Sequence, residues 1–229
     1  MLATTFAAAL EVPPTPRSYL TDLAGVVPNQ QAAAINDRIE GVETSTGHQV
    51  IAVLFPSLEG EPLEDFTIRC AERWKVGRKG LDDGIIFFAF VKDRRMRLEV
   101  GYGLEGKVPD AVAHRLLDGV VKPSFARGDY GGGVLALAGA LEGIFRGEPP
   151  PTPAGSGRSG SPVPFLVLLV IGVLLARAMA AGRGHRGFRG GFGGWGGFSG
   201  GGFSGGGFSG GGFSSGGGSF GGGGASGSW

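Results

Sequence analysis

Residues 163–181 (VPFLVLLVIGVLLARAMAA) carry a single charge, Arg177, and divide this 229-residue chain into parts with different physical prospects. About 20 mainly apolar residues suffice for one helical pass through a bilayer. Arg177 stands near one end of the run, where a long cationic side chain reaches the headgroups. The run therefore predicts one transmembrane helix at 163–181, which makes the protein membrane-integral. Before it, residues 148–162 are rich in proline, glycine and serine and predict a linker.

The stretch 182–229 holds 26 of the 48 glycines, with Phe198, Phe203, Phe208 and Phe213 recurring every five residues. Such a composition cannot offset its ordering entropy by burial, so 182–229 is expected to be a disordered tail. Two readings of it stand side by side: an inert flexible tail, or one made weakly adhesive by its aromatic residues.

Charge sets the expected orientation. Arg177, Arg183, Arg186 and Arg189 cluster at or just after the run, whereas Arg158 is the only cation in the linker before it. Positive flanks stay inside. The tail is thus expected in the cytoplasm and the preceding domain outside the cell membrane, in the envelope. Export calls for a signal peptide, and residues 1–10 (MLATTFAAAL) read as the end of one, cleaved near Ala7 to Ala9, or as an N-terminal tail. A net charge of +1 points to neither nucleic acid nor an acidic partner. Cys70 is the sole cysteine, so neither an intrachain disulfide nor a cysteine metal site is available.

Residues 11–147 remain for a folded domain, a normal single-domain length. Residues 11–16 are proline-rich and predict extended chain. Ala32, Ile35, Ile39 and Val42 recur at helical spacing, and Gly47 ends that segment. Residues 48–55 (HQVIAVLF) predict a buried strand. Leu63, Phe66, Cys70 and Trp74 share one face of a second helix over 61–74. Residues 84–91 (GIIFFAFV) are the most apolar stretch and predict the central strand. A charged turn then leads to 96–102, where Met96, Leu98, Val100 and Tyr102 alternate with Arg97 and Glu99, as in an antiparallel hairpin. Pro109 opens a helix carrying Val112, Leu116, Leu117 and Val120, and a last helix is expected over 134–145. The expected fold is α/β: an α/β/α sandwich around a small central mixed sheet.

Several motifs bear on chemistry. Residues 101–106 (GYGLEG) have the spelling of a dinucleotide loop, but no second strand follows the next helix, so the βαβ context is missing. Extended to Val108, the same stretch nearly spells a phosphate loop, yet valine stands where a hydroxyl is needed. These glycines read as a tight turn. The histidines, His48, His114 and His185, sit in no nucleophile motif and read as structural or solvated.

Carboxylates offer more. Asp82 and Asp83 precede the central strand, and Glu105 and Asp110 flank the loop after the next one. Adjacent loops on one sheet edge place Asp82, Asp83, Glu105 and Asp110 within reach of a hard cation such as Ca2+, which takes several oxygen ligands. Asp22 is a further candidate for that edge. The bland alternative is local capping, with Asp110 at a helix N-terminus and Asp83-Gly84 in a turn.

Six stretches, YLTDLAGV (19–26), TGHQVIAV (46–53), EDFTIRCAERWKVG (64–77), DDGIIFF (82–88), DRRMRLEVGYGLEG (93–106) and PSFARGDY (123–130), together resemble the TPM domain. With the apolar run and a glycine-rich end in Ser-Gly-Ser-Trp, the whole is similar to the bacterial YgcG-like membrane proteins. The resemblance implies the α/β/α sandwich and acidic loops associated with divalent cations. It also implies relatives of divergent activity, from acid phosphatase to receptor-accessory protein. The expectation is thus a membrane-anchored, extracytoplasmic binding or accessory module for an unidentified envelope protein, with Ca2+ as its cation. The alternative is a metal-dependent acid phosphatase, for which the sequence offers no catalytic residue.

Overall fold

Proline and glycine set the element boundaries, and apolar runs between them set the layers. The computed structural model describes residues 10–150 and 216–229, which belong to one structural unit. The predicted span at 163–181, the linker beyond residue 150 and residues 1–9 lie outside the described residues. Among the described residues, no helix is long and apolar enough to cross a membrane.

The sheet has five strands in the order β1-β2-β3-β4-β5: β1 (Leu20–Asp22), β2 (Gln49–Phe55), β3 (Gly84–Phe90), β4 (Arg95–Gly101) and β5 (Phe220–Ser228). The first three are parallel, and β4 and β5 each run antiparallel to their neighbour. The helices are α1 (Asn29–Thr46), α2 (Leu63–Trp74), α3 (Asp110–Leu116), α4 (Lys122–Phe125) and α5 (Tyr130–Phe145), with a π-helical stretch at Leu117–Val121 joining α3 to α4. The expected mixed α/β sheet with helices is present.

Both faces of the sheet are covered. Trp74 of α2 stacks on Phe88 at 5.6 Å, and Phe66 meets Phe55 and Phe90 edge-on. On the opposite face Phe87 meets Phe125 of α4 at 5.8 Å. Every residue of β2 and β3 is buried, as expected for central strands. The predicted helix face Leu63, Phe66, Cys70 and Trp74 is at most 1% exposed. The proline-rich segment lies extended along α2: Trp74 Nε1 donates to the Pro13 carbonyl at 2.9 Å and Arg73 to that of Val12 at 3.0 Å.

At four points the structure adds to or departs from the expectation. β1 is an additional strand, paired with β2 from Leu20↔Ala52 to Asp22↔Leu54; three residues are too few to show a period. The last helix begins at Tyr130, four residues before the expected start, despite Gly131, Gly132 and Gly133. The Asp129 carboxylate caps it, accepting from the Gly132 amide at 2.8 Å. A Cβ on Gly133 would stand 2.6 Å from the Phe125 ring, so this glycine permits close packing rather than breaking the helix.

The third concerns Arg97 and Glu99, which alternate with apolar residues along β4 and are nevertheless buried. Glu99 is 0% and Arg97 8% exposed, because α2 covers that face too. Arg97 Nε donates to Glu99 Oε1 at 2.5 Å and Thr67 Oγ1 donates to the same oxygen at 2.7 Å. The fourth is the tail, which is not disordered to its end. Residues 220–228 form an edge strand whose register runs from Arg95↔Ser228 to Leu98↔Ala225, with an irregularity between Glu99 and Gly101. The Trp229 ring stands 4.9 Å from Phe125 and 6.2 Å from Tyr130. Hydrogen bonds to an unpaired sheet edge, plus one aromatic anchor, supply what the glycine composition lacks.

Candidate functional site

The loops at the N-terminal end of β3 and the C-terminal end of β4 carry all four predicted carboxylates. They do not converge on one point. Asp83 turns inward, whereas Asp82, Glu105 and Asp110 lie along β5 and the chain that leads into it.

Asp83 is 3% exposed and closes the loop after α2. Its Oδ1 accepts the Arg78 amide at 2.8 Å, and its Oδ2 accepts Arg78 Nε at 2.8 Å as well as Arg78 Nη2. His48 Nδ1 stands 3.4 Å from Oδ2. Burial raises the Asp83 carboxyl, but the Arg78 side chain and amide, with His48, outweigh it and hold the carboxyl below its ordinary range. On the other side of the imidazole, Lys107 Nζ lies 3.1 Å from Nε2. A neutral ring satisfies both neighbours: Nδ1–H donates to Asp83 and Nε2 accepts from Lys107. Burial first, then the Lys107 charge, pushes the His48 pKa down despite Asp83.

The sign of the pH effect follows. The fold holds His48 neutral where the unfolded chain protonates it, so this stabilisation is complete above the ordinary value of 6.5 and is lost as pH falls below it. Asp83 behaves likewise lower down: its contribution is present above 3.8 and is lost as pH falls further. Thermal midpoints are expected to drop between pH 7 and pH 5, and His48→Gln should flatten that slope. An unchanged slope in the variant would place the titration elsewhere.

Asp82 and Asp110 have a different partner. Asp82, in the left-handed region at φ 49°, accepts the Ser219 amide on Oδ1 at 2.8 Å. Asp110, the first residue of α3, accepts the Gly224 amide on Oδ1 at 2.8 Å. Glu105 and Asp110 line a shallow cleft with Gly223, and a Cβ on Gly223 would lie 2.7 Å from Glu105 Oε1. Asp22 stays local, accepting the amides of Ala24, Gly25 and Val27. Two of the chosen carboxylates thus have one oxygen each committed to a backbone N–H, and a third is bound in an ion pair. They do not fit a common cation while β5 is docked, and among the described residues no group of three or more His, Cys, Asp or Glu is arranged to hold a metal ion.

The glycines of 101–106 serve the same region. A Cβ on Gly101 or Gly103 would collide with the carbonyl oxygens of Asp82 or Leu81, and the Gly103 amide donates to the Asp82 carbonyl at 3.0 Å. They bring two loops into backbone contact.

Residues that sequence reasoning passed over complete the strand receptor. Arg97 Nη1 donates to Ser226 Oγ at 2.9 Å, and Ser226 Oγ donates to Glu64 Oε1 at 2.7 Å. The Ser226 hydrogen bond comes first among the causes that hold the Glu64 carboxyl low. Gly217 and Gly218 donate to the Lys75 carbonyl at 2.8 and 3.0 Å, threading the chain past the Arg78 loop. The signal available in the sequence was the alternation of Ala225, Gly227 and Trp229 with Ser226 and Ser228.

The sequence model described as TPM domain matches residues 20–144. The solution NMR structure of the N-terminal domain of a P. gingivalis protein is similar, with a TM-score of 0.53 at 33% identity, covering 57% of this chain and 83% of that one. That of the N-terminal domain of the cg2496 protein from Corynebacterium glutamicum gives a TM-score of 0.46 at 18% identity, covering 66% of this chain and 93% of that one. No curated protein matches the chain.

Proposed function

The chain belongs to the TPM domain family, and from that premise we propose that it is a membrane-tethered binding module of the cell envelope whose receptor surface is the flank of β4. The observation that carries this reading is the use of Asp82 and Asp110 as acceptors for the Ser219 and Gly224 amides. Recognition of an extended peptide at a sheet edge draws affinity from main-chain bonds and specificity from side-chain pockets, and these two carboxylates add acceptors for amides of the strand and of the chain leading into it. The apolar run at 163–181 is the tether of this proposal, held in the bilayer without carrying the tail across, so that residues 220–228 stay on the domain's side. Ca2+ enters this proposal as a competitor: at Asp82 or Asp110 it takes oxygens that otherwise hold β5.

Gly224→Val in the full chain tests the reading, because a side chain there collides with the Leu98 carbonyl and frees the β4 flank. A synthetic peptide of residues 216–229 is expected to bind the variant saturably and to bind the wild-type chain at least tenfold more weakly. Equal binding to both would sink the receptor assignment. Ca2+-dependent turnover of a phosphomonoester by the wild-type chain, lost in Asp83→Ala, would favour a metal-dependent phosphatase instead.

A further inference from the structure

The flank of β4 selects its occupant by steric exclusion. A Cβ on Gly221 would run into the Tyr102 ring, one on Gly223 into Glu105, one on Gly224 into the Leu98 carbonyl, and one on Gly227 would stand 2.9 Å from Met96 Cε. Gly224 also has φ +143°, a conformation that L side chains rarely adopt. The same site wants a serine hydroxyl between Arg97 and Glu64, and an aromatic ring against Phe125 and Tyr130. Few extended segments meet these demands together. The segment that does is the chain's own residues 220–229, present in every copy.

The connection from Pro150 to Gly216 comprises residues 151–215, 65 in number. At a limit of roughly 3.3–3.6 Å per residue, its covalent reach is on the order of 200 Å, several times the diameter of a domain. Such a connection does not restrict β5 to its own sheet. Docking in cis and docking in a neighbour make the same strand contacts, so concentration sets the balance between them. Closure through a linker corresponds to effective concentrations on the order of millimolar at best, falling as the linker lengthens. Copies gathered on one membrane surface compete on those terms.

We infer that β5 exchanges between copies, so that each chain completes the sheet of another and the partner of the β4 flank is a second copy of this protein. This rests on the reading of that flank as a receptor for an extended segment.

The register supplies the test, since Arg95 and Ser228 are paired across β4 and β5, and the native Cys70 is buried. One tagged full-length chain carries Arg95→Cys and a second, differently tagged, carries Ser228→Cys; both are co-expressed in membranes and treated with a mild oxidant. The expected result is a disulfide joining the two tags, its yield rising with expression level. It should exceed by at least tenfold the yield when the first chain carries Leu23→Cys, an exposed position beyond the other edge of the sheet. A chain with both Arg95→Cys and Ser228→Cys reports docking in cis. Intrachain closure of that double variant at every expression level, with no joining of the two tags, overturns exchange and leaves the receptor reading intact. Absence of any disulfide, within or between chains, in both experiments overturns both.

Discussion

Glu99→Ala is expected to lower the unfolding free energy by about 3–5 kcal/mol, because it removes the closest counter-charge of a nearly buried guanidinium and leaves it only the half-exposed Glu64, 3.9 Å away. Glu99 is fully buried and Arg97 nearly so, with α2 above them and β5 beside them. Removing the carboxylate deprives Arg97 Nε of its 2.5 Å partner and Thr67 Oγ1 of its acceptor. Water cannot replace what is lost without opening the contact between α2 and the sheet. Breaking a buried pair from one side is costly, whereas replacing both members by apolar groups of similar volume is often neutral or better. Arg97→Met combined with Glu99→Leu should therefore recover most of the loss. Denaturant unfolding of the single and double variants decides the matter. A double variant as unstable as Glu99→Ala would mean that the cost is lost packing rather than the unpaired guanidinium.

Gly224→Val should release β5 while leaving the rest of the fold standing. A non-glycine residue in so sparsely populated a backbone region costs about 1–3 kcal/mol, and the collision with the Leu98 carbonyl adds to it. Together these reach roughly 3 kcal/mol, or on the order of 100-fold in the docking equilibrium. Hydrogen exchange is the direct readout. Amides of β4 that point to β5 should lose protection by about that factor, while those of β2 and β3 stay protected, since their partners are untouched. Trp229 should lose its burial against Phe125 at the same time. Loss of protection throughout the sheet would show instead that β5 is integral to global stability.

Much of this fold was legible because apolar residues announced it. The 35–39–42 stripe of α1, the Leu63 to Trp74 face of α2 and the continuous runs of β2 and β3 all lie in the buried core. What escaped detection had no apolar signature of its own. β1 is three residues long and held by its neighbour. β5 is half glycine and is a strand because β4 offers it unpaired hydrogen-bonding groups. Arg97 and Glu99 are ambiguous for a different reason, since a polar alternation looks the same whether water or α2 covers it. Asp82 and Asp110 were picked out for sound chemistry, carboxylates in adjacent loops, but sequence alone does not distinguish a cation from a peptide N–H as what they hold.

The docking of β5 also bears on topology at the bilayer. Two segments hydrogen-bonded into one sheet share a compartment, so with β5 docked in its own sheet residues 10–150 and 216–229 lie on the same side of any membrane. A polypeptide that leaves and returns to one side has crossed an even number of times, zero included. One passage by residues 163–181 thus excludes a docked β5, whether the chain's own or that of a neighbour inserted in the same sense. The arginine-rich flank at 183–189 argues for passage, and the Ala-Ser-Gly-Ser-Trp end argues for return. The accessibility of Trp229 from either side of a sealed vesicle therefore reports which of the two states a given molecule occupies.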